Sequence, residues 1–244
     1  MTVRQSRIHT SQPLSTADSI ELTGSACHYL TRVLRLKAGD CVILFNGDGS
    51  DYSGMVREIR RQGVLVRLVD SQVIANESAL DITLVQGISR GERMDYSLQK
   101  ATELGVKCVQ PIISSRVGVR LRKDKVAKRL AHWQGVVISA CEQSGRAIVP
   151  EVREPVSLAA WLSAADRSIR LALDPSANQK LSSVTLNGNA VSILVGPEGG
   201  LSDAEMAVVW AQAVTAVSFG PRVLRPETAG PAAISVLLAI AGDL

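Results

Sequence analysis

The chain has 244 residues, 46% of them hydrophobic but only 3% aromatic, and carries a formal net charge of +4. That length suits one large domain or two unequal ones, with a core built from Leu, Val, Ile and Ala rather than from aromatic rings. Cys27, Cys41, Cys108 and Cys141 form no CxxC pair, and His9, His28 and His132 are scattered, so neither a disulfide framework nor a metal site is expected. The cysteines read as buried free thiols of a reducing compartment. The N-terminus has no charged-then-apolar leader, and the longest apolar stretch, Ala229 to Gly242, is too short to span a bilayer. A cytosolic chain is expected.

Residues 1–72 read mostly as strands. The segments 41–46, 51–59 and 63–69 are strand-like, and Gly47-Asp48-Gly49 is a turn signal between the first two. One helix near 24–35 presents Ala26, Leu30, Val33 and Leu34 on one face. Together these predict a small β-barrel-like domain. A linker at 73–79 follows, and a second domain occupies 80–244.

The pattern then alternates. Strands are predicted at 81–88, 106–113, 169–173 and 191–195, and helices at 92–104 and 124–143. Gly105 is placed to cap the first of those helices. Alternating β and α elements predict an α/β domain with a parallel sheet covered on both faces. Charge is uneven along the chain. Residues 116–129 hold seven basic side chains against Asp124 alone, a focused patch that favours a polyanionic partner such as RNA.

Two strands near the C-terminus each run into a Gly-Pro loop that opens a helix. The first reads VSILV-GPEGGLSDAE (191–205) and the second VTAVSF-GPRVLRPETAG (214–230). The intervening length fits a βαβ crossover, so the two strands are expected to be parallel neighbours with their C-terminal ends side by side, where α/β sheets bind ligands. Gly199 and Gly200 permit positive φ and close backbone approach. Ser202 and Glu205 match a capping box. Met206, Val209, Trp210 and Ala213 are the expected buried face of the helix that follows. Neither a Walker ending nor GxGxxG is present, which points away from a nucleoside triphosphate and toward a small adenosine compound held by backbone groups. A plain turn capping a helix would produce the same glycines. In the second loop, Arg222 and Arg225 can hold an anion, with Glu227 beside them. Thr228 is the expected helix start, which would put Pro231 in the first turn.

LVGPEGGLSDAE and FGPRVLRPETA resemble the cofactor-binding motifs of the SPOUT, or α/β-knot, methyltransferases. The resemblance is greatest to the RsmE type, which methylates uracil N3 of 16S ribosomal RNA. HYLTRVLRLKAGD (28–40), QKATELGV (99–106) and HWQGVVISACEQSGRAIVP (132–150) are similar to further segments of that family, in the same order and over nearly the whole chain. Phe219, Pro226 and Gly230-Pro231 depart mildly from its pattern.

The resemblance implies a PUA-like RNA-binding domain at 1–72 and a SPOUT domain with a C-terminal trefoil knot. It implies S-adenosylmethionine as methyl donor and a cytoplasmic homodimer acting on the small ribosomal subunit. Carried onto this chain, the cofactor residues are Leu171, Leu173 and Asp174; Leu194, Gly196, Pro197, Glu198, Gly199, Gly200 and Leu201; and Phe219, Gly220, Leu224 and Arg225. Arg225 is the expected stabiliser of the developing uracil anion, and Glu142 the expected proton acceptor. RNA contact is expected from His28, Arg32 and Arg35 on the N-terminal helix. It is also expected from Arg116, Arg120, Arg122, Lys123 and Lys125 of the basic stretch, and from Gln143, Arg146 and Arg222. Ribose 2′-O methylation and a non-catalytic role in ribosome assembly remain the alternatives at this level.

Overall fold

The structure is a computed structural model in which residues 6–116, 123–165 and 167–244 are described, the side chain of Lys123 excepted. The chain forms two compact units. One holds the residues through Glu77 together with Cys141–Val149, and the other holds Ser78–Ala140 and Pro150–Leu244.

The first unit is a five-stranded sheet of β1 (Ser6–His9), β2 (Ser19–Thr23), β3 (Cys41–Phe45), β4 (Ser50–Ile59) and β5 (Gly63–Val73), ordered β1-β3-β4-β5-β2. Alternate residues turn inward, so Val42 and Leu44 of β3 meet Val64, Val66 and Leu68 of β5 in one core. Gly47 and Gly49, both at φ 92°, make the predicted turn between β3 and β4. The helix expected near 24–35 is present but changes pitch. An α-helical turn, α1 (Gly24–His28), runs directly into a π-helical turn at Tyr29–Val33, closed by Leu34 N–H to Tyr29 C=O. The wider turn rotates Val33 away from the expected apolar face, and it is exposed while Leu30 is fully buried.

Arg7 ties segment 141–149 into this unit. Its guanidinium donates to both carboxylate oxygens of Asp51 (Nη2 at 2.6 Å, Nε at 3.0 Å). It also donates to the carbonyl of Cys141 at 2.6 Å and lies 4.5 Å from the centre of the Phe45 ring. Arg146, expected to contact RNA, is instead buried in a two-pronged ion pair with Glu77. Cys41 is exposed, contrary to expectation, whereas burial pushes the Cys108 and Cys141 thiols up to about 11.

The second unit alternates β6 (Asp81–Gly87), α2 (Glu92–Glu103), β7 (Cys108–Ile113), α3 (Lys123–Ser144), β8 (Glu151–Val152), β9 (Val156–Ser157), α4 (Leu158–Ser163), β10 (Ile169–Leu173), β11 (Ala190–Val195), α5 (Asp203–Ala211), β12 (Val214–Val217) and α6 (Pro226–Ala241). Helix α3 spans the division, its residues from Cys141 belonging to the first unit. Among the described residues every strand pair is parallel, in the order β12-β10-β11-β6-β7-β8, with β9 also on β7. Residues of α4 and α5 pack on one face against Val85, Ala172 and Leu194, while α6 packs against β6 and β11. The strands buried on both faces are therefore near-continuous apolar runs such as VSILV.

One topological expectation is corrected. β11 and β12 are parallel but not neighbours, because β10 lies between them and pairs with both. A crossover of that length can skip one strand, and periodicity cannot distinguish the two arrangements. The buried face of α5 is also narrower than expected. Val209 is fully buried, whereas Trp210 and Ala213 are exposed. Helix α6 begins at Pro226, two residues before the expected Thr228. Pro226 has its φ preset for a first helical position, and Arg225 before it is extended (φ −66°, ψ 150°). Pro231 consequently falls inside the helix rather than in its first turn.

Replacing Arg7 with alanine leaves Asp51 as a largely buried carboxylate without its cation (side-chain exposure 10% for Arg7, 14% for Asp51). Urea unfolding is expected to show a loss of about 3–5 kcal/mol, the cost of breaking a buried ion pair from one side. A loss below 1 kcal/mol, the level of an exposed pair, would mean the tie is dispensable.

Candidate functional site

The C-terminal ends of β10, β11 and β12 open on one side of the second unit. A cavity of about 440 Å³ lies there. Its floor is apolar, formed by Ala172, Leu194 and Val217. Leu173–Pro175 close it from the end of β10. The loop after β11 contributes Gly196 through Leu201, and the loop after β12 contributes Phe219 and Arg222–Leu224. Met206, Pro226 and Ala229 complete the wall.

Most of the cofactor residues expected from the resemblance thus converge, from the three segments it implied. The exceptions are Leu171, Gly220 and Arg225. Leu171 is buried one residue below the floor, and Gly220 shapes the second loop at φ 95°. The carbonyl of Arg225 accepts the N–H groups of Thr228 and Ala229 at the start of α6. Its side chain is exposed and has no hydrogen-bond or ion-pair partner among the described residues. Asp174 is half-buried in the cavity wall. One of its oxygens accepts both the N–H and the hydroxyl of Ser176, and its own N–H donates to Val217, which joins the ends of β10 and β12.

The loop after β11 is the most constrained part of the site. A turn from Pro197 to Gly200 is closed by Gly200 N–H to Pro197 C=O at 2.9 Å. Gly200 adopts positive φ (66°) but Gly199 does not. A Cβ at Gly199 would instead meet Arg116 at 3.3 Å, so that glycine makes room for Arg116 and not for positive φ. Arg116, expected at the RNA, donates to the carbonyls of Gly199 and Leu201 at 3.4 Å each. Gly87, at the end of β6, was not foreseen as a site residue. A Cβ there would lie 2.5 Å from the backbone nitrogen of Pro197. A glycine closing the strand DITLVQG is the one sequence signal that pointed to such an approach.

Beyond the turn, Ser202 and Glu205 form the predicted capping box at the start of α5. Glu205 reaches further. It accepts the N–H and hydroxyl of Ser115, just beyond β7, at 2.6 and 2.7 Å. Burial disfavours its charge, but the N–H groups of Ser202 and Ser115 and their hydroxyls outweigh it and hold the carboxyl below its usual range. Glu198 is treated alike: burial is outweighed by backbone N–H donors, that of Arg90 foremost, and by Arg93, so its carboxyl is also lowered. Arg90 and Arg93 escaped the sequence reading, since nothing in helical spacing marks them.

Glu227 was expected beside Arg225. It faces Arg93 instead, at 3.9 Å. Glu142 belongs to the first unit, where it accepts the N–H of His9 at 3.0 Å. Burial raises its carboxyl, against the opposing pull of that N–H and of Arg7. His28, Arg32, Arg35, Lys125, Gln143 and Arg222 are exposed. Arg120 and Arg122 lie outside the described residues, as does the side chain of Lys123. Among the described residues no group of three or more His, Cys, Asp or Glu is placed to hold a metal, and no helix is long and apolar enough to cross a membrane.

Among the described residues the lining carries three charged side chains, Asp174, Glu198 and Arg222. Such a site suits a compact ligand with an apolar, flat portion and a cationic or zwitterionic end. Among the described residues it lacks the concentrated donors that a polyphosphate requires.

Comparison with known proteins agrees with this architecture. Residues 76–238 match the RNA methyltransferase domain family, and residues 22–69 match the RNA methyltransferase PUA domain family. A methyltransferase from Legionella pneumophila, Lpg2936, solved in complex with SAM, superposes with a TM-score of 0.94 at 37% identity, over 97% of this chain and 98% of that one. Ribosomal RNA small subunit methyltransferase E from Neisseria gonorrhoeae, bound to S-adenosyl methionine, gives 0.90 at 34% identity over the same shares. The protein of that name from Buchnera aphidicola (subsp. Schizaphis graminum) is 33% identical across the full length of both chains. A PUA-type module joined to an RNA methyltransferase domain is the class these observations define. The chain belongs to the ribosomal RNA small subunit methyltransferase E family of RNA methyltransferases.

Two substitutions test the geometry of the loop. Gly87→Ala forces a Cβ against backbone that has no rotamer to yield, and is expected to cost about 1–3 kcal/mol in urea unfolding, as overpacking does. An unchanged midpoint would mean the loop sits more loosely than its contacts indicate. Glu205→Gln tests the lowered carboxyl. A carboxylate favoured in the folded state stabilises above its unfolded pKa, ordinarily 4.5, and loses that contribution as pH falls through the lowered folded value. The stability gap between wild type and Glu205→Gln is therefore expected to be full at neutral pH and to close in acid. A gap independent of pH would contradict the assignment.

Proposed function

We propose that this protein transfers a methyl group from S-adenosylmethionine to N3 of a uracil in small-subunit ribosomal RNA. The observation that carries the reading is the cavity at the ends of β10, β11 and β12, with its apolar floor and few charges. An adenosine ring fits the apolar floor, and a sulfonium with an amino-acid tail fits a wall carrying Asp174 and Glu198. The residues that would hold the cofactor are Leu173 and Asp174, Leu194 through Leu201, and Phe219 with Leu224. The names of the relatives, and the SAM in two of the structural neighbours, support the same assignment.

Bound S-adenosylmethionine supplies an electrophilic methyl group. The protein's own contribution is then largely positioning. The three loops fix one reactant, and the uracil has to leave its stack to meet it. Loss of the N3 proton puts negative charge on the uracil ring. Arg225, between the lining residues Leu224 and Pro226, carries an exposed guanidinium without a partner among the described residues and is suited to stabilise that charge. Glu142 is the proton acceptor suggested by the resemblance, and burial, which raises its carboxyl, makes it a stronger base. The exposed His28 and Arg32, with Tyr29 on the same short helix, form a basic and aromatic surface for RNA; Arg35, also exposed, was expected on that helix face but lies beyond the helix end, at φ 55°. Lys125 and Lys128, also exposed, are further cations suited to RNA.

A homodimer is part of this reading. From Pro231 to Ala241, α6 carries no charged side chain, while Ala232, Ser235, Val236 and Ile240 are only half-buried and Ala239 is exposed. That face is suited to packing against a second copy, and cytoplasmic localisation follows from a ribosomal substrate.

The test is methyl transfer from labelled donor to small-subunit ribosomal RNA of a strain lacking the protein, with the product nucleoside identified by mass. Methylation on the base supports the reading, and methylation on ribose contradicts it. In single-turnover reactions Arg225→Ala is expected to be slower by about 10²–10³, the usual cost of one oxyanion donor, with cofactor affinity within a few-fold of wild type. A rate near wild type would make Arg225 only a loop strut.

A further inference from the structure

We propose that Arg93 is the positioning residue that straps two of the three ligand loops together, so that cofactor affinity depends on its charge. The inference rests on the cavity being the cofactor site.

Arg93 lies in the first turn of α2. A cation there has the wrong sign for the helix macrodipole, so its placement is not explained by α2 itself. The guanidinium explains it. Its Nη1 lies 3.3 Å from Glu198 Oε1, and its Nε lies 3.9 Å from Glu227 Oε1. Glu198 is in the loop after β11 and lines the cavity. Glu227 is in the first turn of α6, immediately after the loop that follows β12. One cation on a third element thus faces an acid from each loop.

The two carboxylates need that cation. Their side chains are mostly buried, at 25% and 13% exposure. Glu198 has Arg90 N–H as a second donor at 3.0 Å. Glu227 has less: its Oε2 is buried without a hydrogen-bond partner, and Arg93 is the cation within ion-pair distance of it among the described residues. Without Arg93, two poorly solvated negative charges from adjoining loops would share no counter-charge and would repel. The loops would then part where the cavity is formed. Arg93 itself is half-exposed (51%), so its effect on global stability is small. What it sets is the spacing of the loops.

The experiment is calorimetric titration of S-adenosylmethionine into wild type, Arg93→Gln, Glu227→Gln and the double variant, with thermal unfolding of each. Arg93→Gln is expected to weaken binding about tenfold, as loss of a half-buried charge partner does, with little change in the unfolding midpoint. Adding Glu227→Gln removes the repulsion and is expected to restore most of the affinity. Unchanged affinity in Arg93→Gln overturns the proposal. A loss that Glu227→Gln does not relieve also overturns it, because a merely steric prop would behave in that way. Wild-type protein that does not bind the cofactor would take down the site reading and this proposal together, an outcome distinct from the other two.

Discussion

The site depends on a contact that admits no side chain. At the end of β6, Gly87 lies so close to the Gly196-Pro197 peptide that even a methyl group would meet backbone at 2.5 Å. This seats the loop after β11 directly on the neighbouring strand. The other restraints act on a loop already held there. Arg90 and Arg93 grip Glu198 from the segment after β6, while Ser115 and Arg116 grip Glu205 and two loop carbonyls from the segment after β7. The loop is therefore fixed from both flanks, by segments that follow strands of the same parallel sheet. A ligand loop ordered in advance loses little conformational entropy on binding.

Charge is divided between the cavity lining and the exposed cations elsewhere on the chain. Inside, two acids and one arginine border an apolar floor. Other basic side chains suited to RNA, among them His28, Arg32, Lys125 and Arg225, are exposed and outside that lining. Such a division serves a reaction in which a cationic donor meets a polyanionic substrate. A strongly positive cavity would repel the donor, and a neutral exterior would not gather the RNA. Arg7 and Arg146 stand apart from both groups, since they are spent on buried ion pairs that hold segment 141–149 in the first unit.

Much of this was legible in the sequence because it is local. The alternation of elements, the cap at Gly105, the capping box of Ser202 and Glu205 and the turn glycines at 47 and 49 all act within a few residues, and all stand in the structure. The resemblance of the two Gly-Pro loops to cofactor motifs picked out residues that do converge on one cavity. What was not legible depends on tertiary neighbours. The insertion of β10 between β11 and β12 leaves no periodic trace. Val33 and Trp210 emerge on the surface because a π-turn and a narrow packing face override simple helical spacing. Arg116 read as an RNA contact by its place in the basic stretch and Arg146 by the resemblance of its helix end, yet one supports a loop and the other is buried against Glu77. Gly199 and Gly200 look equivalent in sequence, but only one needs positive φ.

Hydrogen–deuterium exchange with and without S-adenosylmethionine tests the central claim most directly, namely that the ends of β10, β11 and β12 form one binding surface for the cofactor. Protection on addition of the cofactor should appear together in peptides covering residues 172–175, 194–201 and 217–224, and not in the strands of the first unit. Protection confined to one of these segments, or centred in residues 6–77, would contradict it.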